Sequence, residues 1–215
     1  MKNRISIGEW LYVVLTRTPR AIKTRLADRR LRKLLRETKT YGLGDLPEDT
    51  FGRVTGMVRP LDKQLIEAPL SGRLCVYYDI SIEPQTGEGT TLRVLASEQD
   101  AIPFVLEAGG QRAVVDPAHA QISAGFDCVV SSKEPTPRSL ALLARYRWRG
   151  DGLVMCREAI LEADEMITVV GAGVREADPD ATTAAGLYRD GRQTRLRLTG
   201  AAKYPLLISD DLRSL

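Results

Sequence analysis

From residue 52 onward the chain consists of short apolar runs of period two, separated by glycine, proline and acidic turns. The clearest run is Leu74–Ile82. Leu74, Val76, Tyr78, Ile80 and Ile82 share one face, and Cys75, Tyr77, Asp79 and Ser81 share the other, as in a half-buried strand. Strands are predicted near 53–58, 73–82, 91–96, 111–115, 126–131, 152–161, 165–171 and 193–199, with turns at 83–89 and Gly109–Gly110. In 193–199, Leu196 and Leu198 point one way and Arg195 and Arg197 the other, which predicts a polar outer face that discourages edge pairing. Many short strands with frequent breaks favour a barrel or sandwich over a parallel α/β sheet. The expected class is therefore mainly β, with an antiparallel barrel-like domain.

Two segments change to helical periodicity. Thr136-Pro137 opens a run ending near Tyr146, whose leucines suit an insertion covering an open barrel end. Thr18-Pro19 opens a longer one that Tyr41-Gly42 stops, with Ala27, Leu31, Leu34 and Leu35 forming one narrow stripe. Arg29, Arg30, Arg32, Lys33 and Arg36 surround that stripe. Upstream, the apolar core Trp10–Leu15 is too short for a bilayer span, which needs about 20 residues, and no small-residue cleavage site follows it. The expected organisation is a basic amphipathic helical arm (1–41), a linker (42–50) and a β-rich domain (51–215).

Composition adds little, but charge adds a great deal. Of 215 residues, 43% are apolar and 27% charged, an ordinary globular balance. The net charge of +3 conceals a split: residues 1–40 hold 12 basic and 3 acidic residues (+9), leaving 31 − 12 = 19 basic and 28 − 3 = 25 acidic residues (−6) elsewhere. Three readings of the arm follow. Its stripe packs on the body or a second copy; or it lies on an anionic membrane surface or an acidic partner; or it neutralises nucleic-acid phosphates. The docking candidates are Trp10, Arg25, Arg29, Arg30, Arg32, Lys33 and Arg36. The three cysteines, at 75, 128 and 156, share no close spacing, which suits a reducing compartment. The expected location is cytoplasmic, peripheral at the inner face of a membrane.

Catalytic chemistry is hard to build from these residues. His119, the sole histidine, follows an Asp-Pro turn and reads as a surface or strand-end residue. Asp210-Asp211 and Asp178/Asp180 lie in turn-rich surroundings without calcium-site spacing. Gly171-Ala172-Gly173 opens neither a dinucleotide fingerprint nor a helix, and reads as a strand end. Arg145-Tyr146-Arg147-Trp148-Arg149 suits an exposed edge with two aromatics turned inward, or a stacking and phosphate patch. No catalytic residue, metal or cofactor is expected. The best candidate binding face is the polar side of the 74–82 strand, Tyr77 and Asp79 beside Arg73, forming a groove with Phe104 and Glu107.

The blocks Gly52/Val54, Ala68–Tyr78, Pro103–Glu107, Val115–Pro117, Cys156–Leu161 with Val169–Gly171, and Pro205–Asp210 occur in register. In this order they resemble the GIDE domain, also called the BAM or "beside a membrane" domain, over residues 51–211. The resemblance implies structural roles for Pro69, Ser71, Gly72, Cys75, Tyr78, Pro103, Asp116, Pro117, Glu158 and Gly171. It departs at Ala163-Asp164, where the family commonly has Gly-Asp. The ubiquitin-ligase members of that family act through a zinc-bound RING, which needs about eight closely spaced Cys/His ligands. This chain holds three cysteines and one histidine. What the resemblance implies is a non-catalytic binding or scaffold module that recognises a protein. A ligase-family subunit with a RING supplied in trans is the alternative, and a nucleic-acid-binding protein the second.

Overall fold

Apolar alternation from residue 52 onward produces strands throughout the computed structural model, which describes residues 38–85, 94–150, 152–179, 194–201 and 205–210. The arm candidates Trp10, Arg25, Arg29, Arg30, Arg32, Lys33 and Arg36 lie outside the described residues, as does half of the strand expected at 91–96. In chain order the strands are β1 (Gly52–Pro60), β2 (Ile66–Glu67), β3 (Leu74–Pro84), β4 (Ala96–Ala101), β5 (Phe104–Ala108), β6 (Gln111–Asp116), β7 (Ala120–Ser123) and β8 (Cys128–Ser131). Helix α1 (Pro137–Arg145) follows, then β9 (Val154–Glu162), β10 (Met166–Gly171), β11 (Gly173–Ala177), β12 (Thr194–Thr199) and β13 (Leu206–Ser209). The fold is mainly β, as expected.

One eight-stranded sheet runs β11-β12-β6-β5-β1-β10-β13-β7. Most of its pairings are antiparallel, as expected, and two, β12 with β6 and β13 with β7, are parallel. The reason is that β6 and β7 are halves of one run, bent by the 3₁₀ turn Pro117–His119, and β12 and β13 are halves of another. These two bent runs lie side by side. Gly200 sits at the second bend, where a Cβ would come within 2.8 Å of both the His119 carbonyl and the Leu206 amide nitrogen. Taking each bent run as one strand, the pairing closes as β1, β5, β6/β7, β12/β13, β10 and back to β1. That ring makes the sheet curled and barrel-like. Val58, Phe104, Leu106, Ile167, Leu196 and Leu198 fill it, none more than 1% exposed.

Residues 42–50 form a cap on this barrel rather than a linker. Leu43 and Leu46 are buried in the barrel core, Asp49 N–H donates to Gly173 O (3.0 Å), and Arg175 Nη2 donates to Gly44 O (2.6 Å). Apolar Leu43 and Leu46 cannot stay in water when a barrel mouth is open beside them.

The smaller sheet, β2-β3-β9-β8 with β4 beside β3, is assembled from two insertions in the barrel. One carries β2 to β4, between β1 and β5, and the other carries β8, α1 and β9, between β7 and β10. Helix α1 starts as the residues predict, with Pro137 in its first turn and a capping box between Thr136 and Ser139. Its Leu142 and Leu143 cover the small sheet, not a barrel end. Tyr146 and Trp148 also turn inward there, although their segment is a helix end and turn instead of a strand.

Lying between two cores, β3 cannot keep one polar face. Its register against β9 shifts between Cys75 and Tyr77, so Val76 and Tyr77 both turn to the barrel core while Cys75, Tyr78, Ile80 and Ile82 face the core under α1. A bulge of this kind lets consecutive residues share a side. Leu74, expected to be buried, is 57% exposed. Elsewhere β4 begins where the 91–96 strand was expected to end, and β2, β5, β7, β11 and β13 are additional strands. β11 starts two residues after Gly171, so Gly171-Ala172-Gly173 joins two strands.

The two insertions are tied together by Glu158. Its carboxylate, 0% exposed on β9, accepts the amide of Leu70 at 2.6 Å and that of Ser71 at 3.0 Å. The turn it holds also closes on itself through Gly72 N–H to Ala68 O and Ala68 N–H to Arg73 O. Gly72 takes φ 78°, a backbone conformation that favours glycine. Glu158→Ala orphans one buried donor and one part-buried donor, worth up to about 1–3 kcal/mol each. The expected loss in urea-unfolding stability is about 2–5 kcal/mol, with Glu158→Gln, which keeps one acceptor oxygen, losing less.

Candidate functional site

The candidate binding face is rearranged by the bulge. Tyr77 (4% exposed) and Phe104 (0%) belong to the barrel core, so they do not form the open groove expected from alternation. Glu107 is held by Arg59 at 3.0 Å and Arg73 by Glu162, on separate strands. Asp79 shares Tyr77's side of β3 and is partly buried. Of the residues assigned structural roles, Pro69, Ser71, Gly72, Cys75, Tyr78 and Glu158 do converge, around the clamped turn and the core beneath α1. Asp116 caps the 3₁₀ turn by accepting Ala118 N–H at 3.0 Å, Pro117 is buried and Pro103 is exposed. Gly171 lets Leu206 approach, since a Cβ would lie 2.2 Å from its methyl.

What the bulge creates instead is a cleft of about 220 Å³ where the small sheet meets the barrel. Tyr77, Ala101, Pro117 and Ile122 supply its apolar surface, and Gln99 and Asp100 its polar rim. Gln99 and Ala101 stand on β4 opposite Asp79 and Tyr77. Among the described residues β4 pairs with β3 alone, so its outer edge runs beside the cleft. Ala96–Ala101 has no apolar alternation, which is why the cleft was not legible from pattern.

Near the cleft, β4 is anchored by Glu98, whose carboxylate accepts bonds from Tyr78 (2.8 Å), Arg145 (2.6 Å) and Tyr146 (2.5 Å). Burial raises a carboxyl, but here the hydrogen bonds from Tyr146 and Tyr78, with the Arg145 charge, outweigh it and hold Glu98 below its usual range. Burial, and then the bond to Glu98, push Tyr146 up to about 12 and Tyr78 up as well. This cluster fastens the end of α1 to β3 and β4.

Reactive groups are muted. Burial pushes the Cys75 thiol up to about 12, and its Sγ donates to Ile66 O at 3.6 Å, so it is a packed thiol without thiolate character. Cys128 and Cys156, remote in sequence, face the same core as Cys75, and burial raises both. His119 is exposed at the end of the 3₁₀ turn. Among the described residues no group of three or more His, Cys, Asp or Glu is placed to hold a metal ion, and no helix is long and apolar enough to cross a membrane. The outer side of β5 and β6 carries buried Val105 and Val114 and an Arg112 paired with Asp178.

No protein family, curated protein or solved structure matches the chain.

A second carboxylate, Glu165 in the β9–β10 turn, behaves oppositely to Glu98. Burial raises it despite its bond from the Glu162 amide (2.9 Å), and Asp210 and Asp127 raise it further. The two have opposite linkage signs. Glu98, depressed in the fold, stabilises above the ordinary carboxylate range and loses that contribution as pH falls through its folded value. Glu165, raised in the fold, destabilises above that range and is relieved as pH falls. In thermal melts, Glu98→Gln is expected to lower Tm near neutral pH and Glu165→Gln to raise it, both differences shrinking toward about pH 3.

Proposed function

We propose that this chain is a non-catalytic recognition module of the GIDE type, whose β-domain binds an extended segment of a partner protein along β4. The observation that carries this is the outer edge of β4 beside the Tyr77 cleft, with apolar Ala101, Pro117 and Ile122 next to Gln99 and Asp100. A strand edge that no other described strand pairs with offers backbone donors and acceptors in register, and a neighbouring pocket selects one side chain. Exposed Asp100 favours a cationic residue in the incoming segment. The packed thiols and the exposed lone histidine support a binding role over chemistry at this surface.

The arm serves as the tether in this reading. Its +9 charge against −6 for the remainder, with Trp10 in the apolar segment ahead of the arginine-rich stretch, suits a peripheral position on an anionic membrane surface. The chain is then a scaffold that holds a partner at the membrane face. A ligase-family role would require a RING on another polypeptide.

The test uses the full chain. Ala101→Arg, which fills the cleft, and Asp100→Lys, which reverses its rim, are each expected to weaken capture of a partner at least tenfold, with unfolding midpoints unchanged. Capture that survives both changes overturns the β4 reading. Reversal of Arg29, Arg30, Arg32 and Lys33 to Glu is expected to abolish co-sedimentation with anionic vesicles at low salt while leaving partner capture intact. A wild-type chain that does not sediment with such vesicles removes the tether.

A further inference from the structure

Helix α1 has two stripes of the same spacing, and the fold uses only one of them. Ser139, Leu142, Leu143 and Tyr146, at i, i+3, i+4 and i+7, are buried or half-buried on the side of the small sheet. Pro137, Leu140, Ala141 and Ala144 repeat that spacing two residues earlier, about 200° around the helix axis. All four are exposed, Leu140 by 51%. A helix lying on one core needs one apolar side and carries polar residues on the other. Packing on the small sheet therefore leaves the outer stripe unexplained.

The charge around this stripe has one sign. Residues 135–150 contain Arg138, Arg145, Arg147 and Arg149 and no Asp or Glu, and their +4 leaves the remainder of the −6 body at −6 − 4 = −10. Helix stability does not account for this, because the dipole favours an acid in the first turn and α1 has none there. Arg138 and Arg145 flank the stripe and reach back to Glu67 (2.7 Å) and Glu98 (2.6 Å). Arg147 and Arg149 follow the helix end, are exposed, and form no ion pair among the described residues. The amides of Arg147 and Trp148 donate to Ala144 O and Leu143 O, both at 3.0 Å, which holds this arginine-bearing turn against the end of the helix.

Charge and shape discriminate among the occupants such a face could take. A second copy of α1 would bring the four arginines of each copy together, and like charges oppose it. A nucleic acid has phosphates for the arginines, but its bases need a stacking face, and Tyr146 and Trp148 pack against the core beneath α1. An anionic lipid surface uses both features, offering phosphates to the arginines and an apolar layer to Leu140. It also accepts a convex helix without a matching groove.

We infer that the outer face of α1 is a docking surface for anionic lipid, with Leu140 entering the headgroup region and Arg147 and Arg149 meeting lipid phosphates. The inference rests on the proposed membrane position, in which the arm supplies the main attachment, but its residues are separate from the arm's. Two unpaired arginines contribute about fivefold each in affinity. That is too little to hold the chain alone and enough to select which side faces the lipid. The selected side is opposite the cleft, since α1 covers one face of the small sheet and Tyr77 emerges on the other, so the cleft stays clear of the lipid.

The experiment places an environment-sensitive NBD fluorophore on the full-length chain at Leu140→Cys, or at Val174→Cys on β11, 46% exposed in the wild type. The unsubstituted chain, whose three cysteines are buried or half-buried, is carried through the labelling to set the background. With vesicles of equimolar phosphatidylcholine and phosphatidylserine at low salt, the Leu140→Cys probe is expected to brighten and shift to the blue, and the Val174→Cys probe to stay unchanged. Vesicles of phosphatidylcholine alone, poly-L-glutamate and a uridine oligoribonucleotide are expected to produce no shift. Arg147→Glu combined with Arg149→Glu is expected to weaken co-sedimentation with the anionic vesicles at least tenfold, at an unchanged thermal midpoint. A silent Leu140→Cys probe on a chain that sediments with those vesicles overturns the inference and leaves the tether standing. An equal blue shift with poly-L-glutamate or the RNA overturns it too, as does a charge-reversed chain that binds as tightly as the wild type. The probe reads position directly, so it decides even if the charge-reversed chain does not fold. A probe shift that persists when Arg29, Arg30, Arg32 and Lys33 are reversed supports the α1 surface and removes the tether, and a wild type that does not sediment removes both.

Discussion

The hydrogen bonds from Leu70 and Ser71 to the Glu158 carboxylate, 88 and 87 residues away in sequence, join two insertions that leave the barrel at different points. A carboxylate in an apolar core is tolerated only where its oxygens find donors, and amides buried beside it are tolerated only where they find an acceptor. Each half of this contact therefore requires the other. Together they hold the turn before β3 against the middle of β9, and set the register in which those strands pair. The bulge at Val76 follows from that register, as does the side on which Tyr77 emerges.

Because the small sheet is packed on both faces, by the barrel through Tyr77 and Leu161 and by α1 through Leu142 and Leu143, its free backbone lies at its edges. Asp100 gives the outer side of β4 a negative charge, which discourages pairing with a like edge. Glu98 on the same strand as Asp100 faces inward, and its bonds to Tyr78, Tyr146 and Arg145 keep the edge rigid behind the cleft. A rigid edge loses less entropy on binding than a mobile one.

Legibility from sequence tracked how local the determining interaction was. Strand β3 and the capped start of α1 were readable because alternation and the Thr-Pro-x-Ser cap involve neighbouring residues. The role of 42–50 was not, because Gly and Pro marked a turn-rich segment correctly while the burial of Leu43 and Leu46 depended on a barrel mouth built from distant strands. The arrangement of the candidate face was not legible for a related reason: a register shift places Tyr77 in the core, away from Arg73 and Glu107. The cleft residues Gln99 and Ala101 lie on a strand whose pattern is irregular, and Pro117 and Ile122 reach them only through the bent β6–β7 run.

By itself the chain determined that it would fold as short strands with one capped helix inserted, that positive charge would concentrate ahead of the β-rich part, and that its reactive side chains would be few and scattered. Those are properties of composition and of spacings a few residues long. The parallel pairing of the two bent runs, the gathering of three separated cysteines on one core and the shared carboxylate were decided only in three dimensions. Each depends on which strands become neighbours, and that choice is made by the burial of the whole core at once.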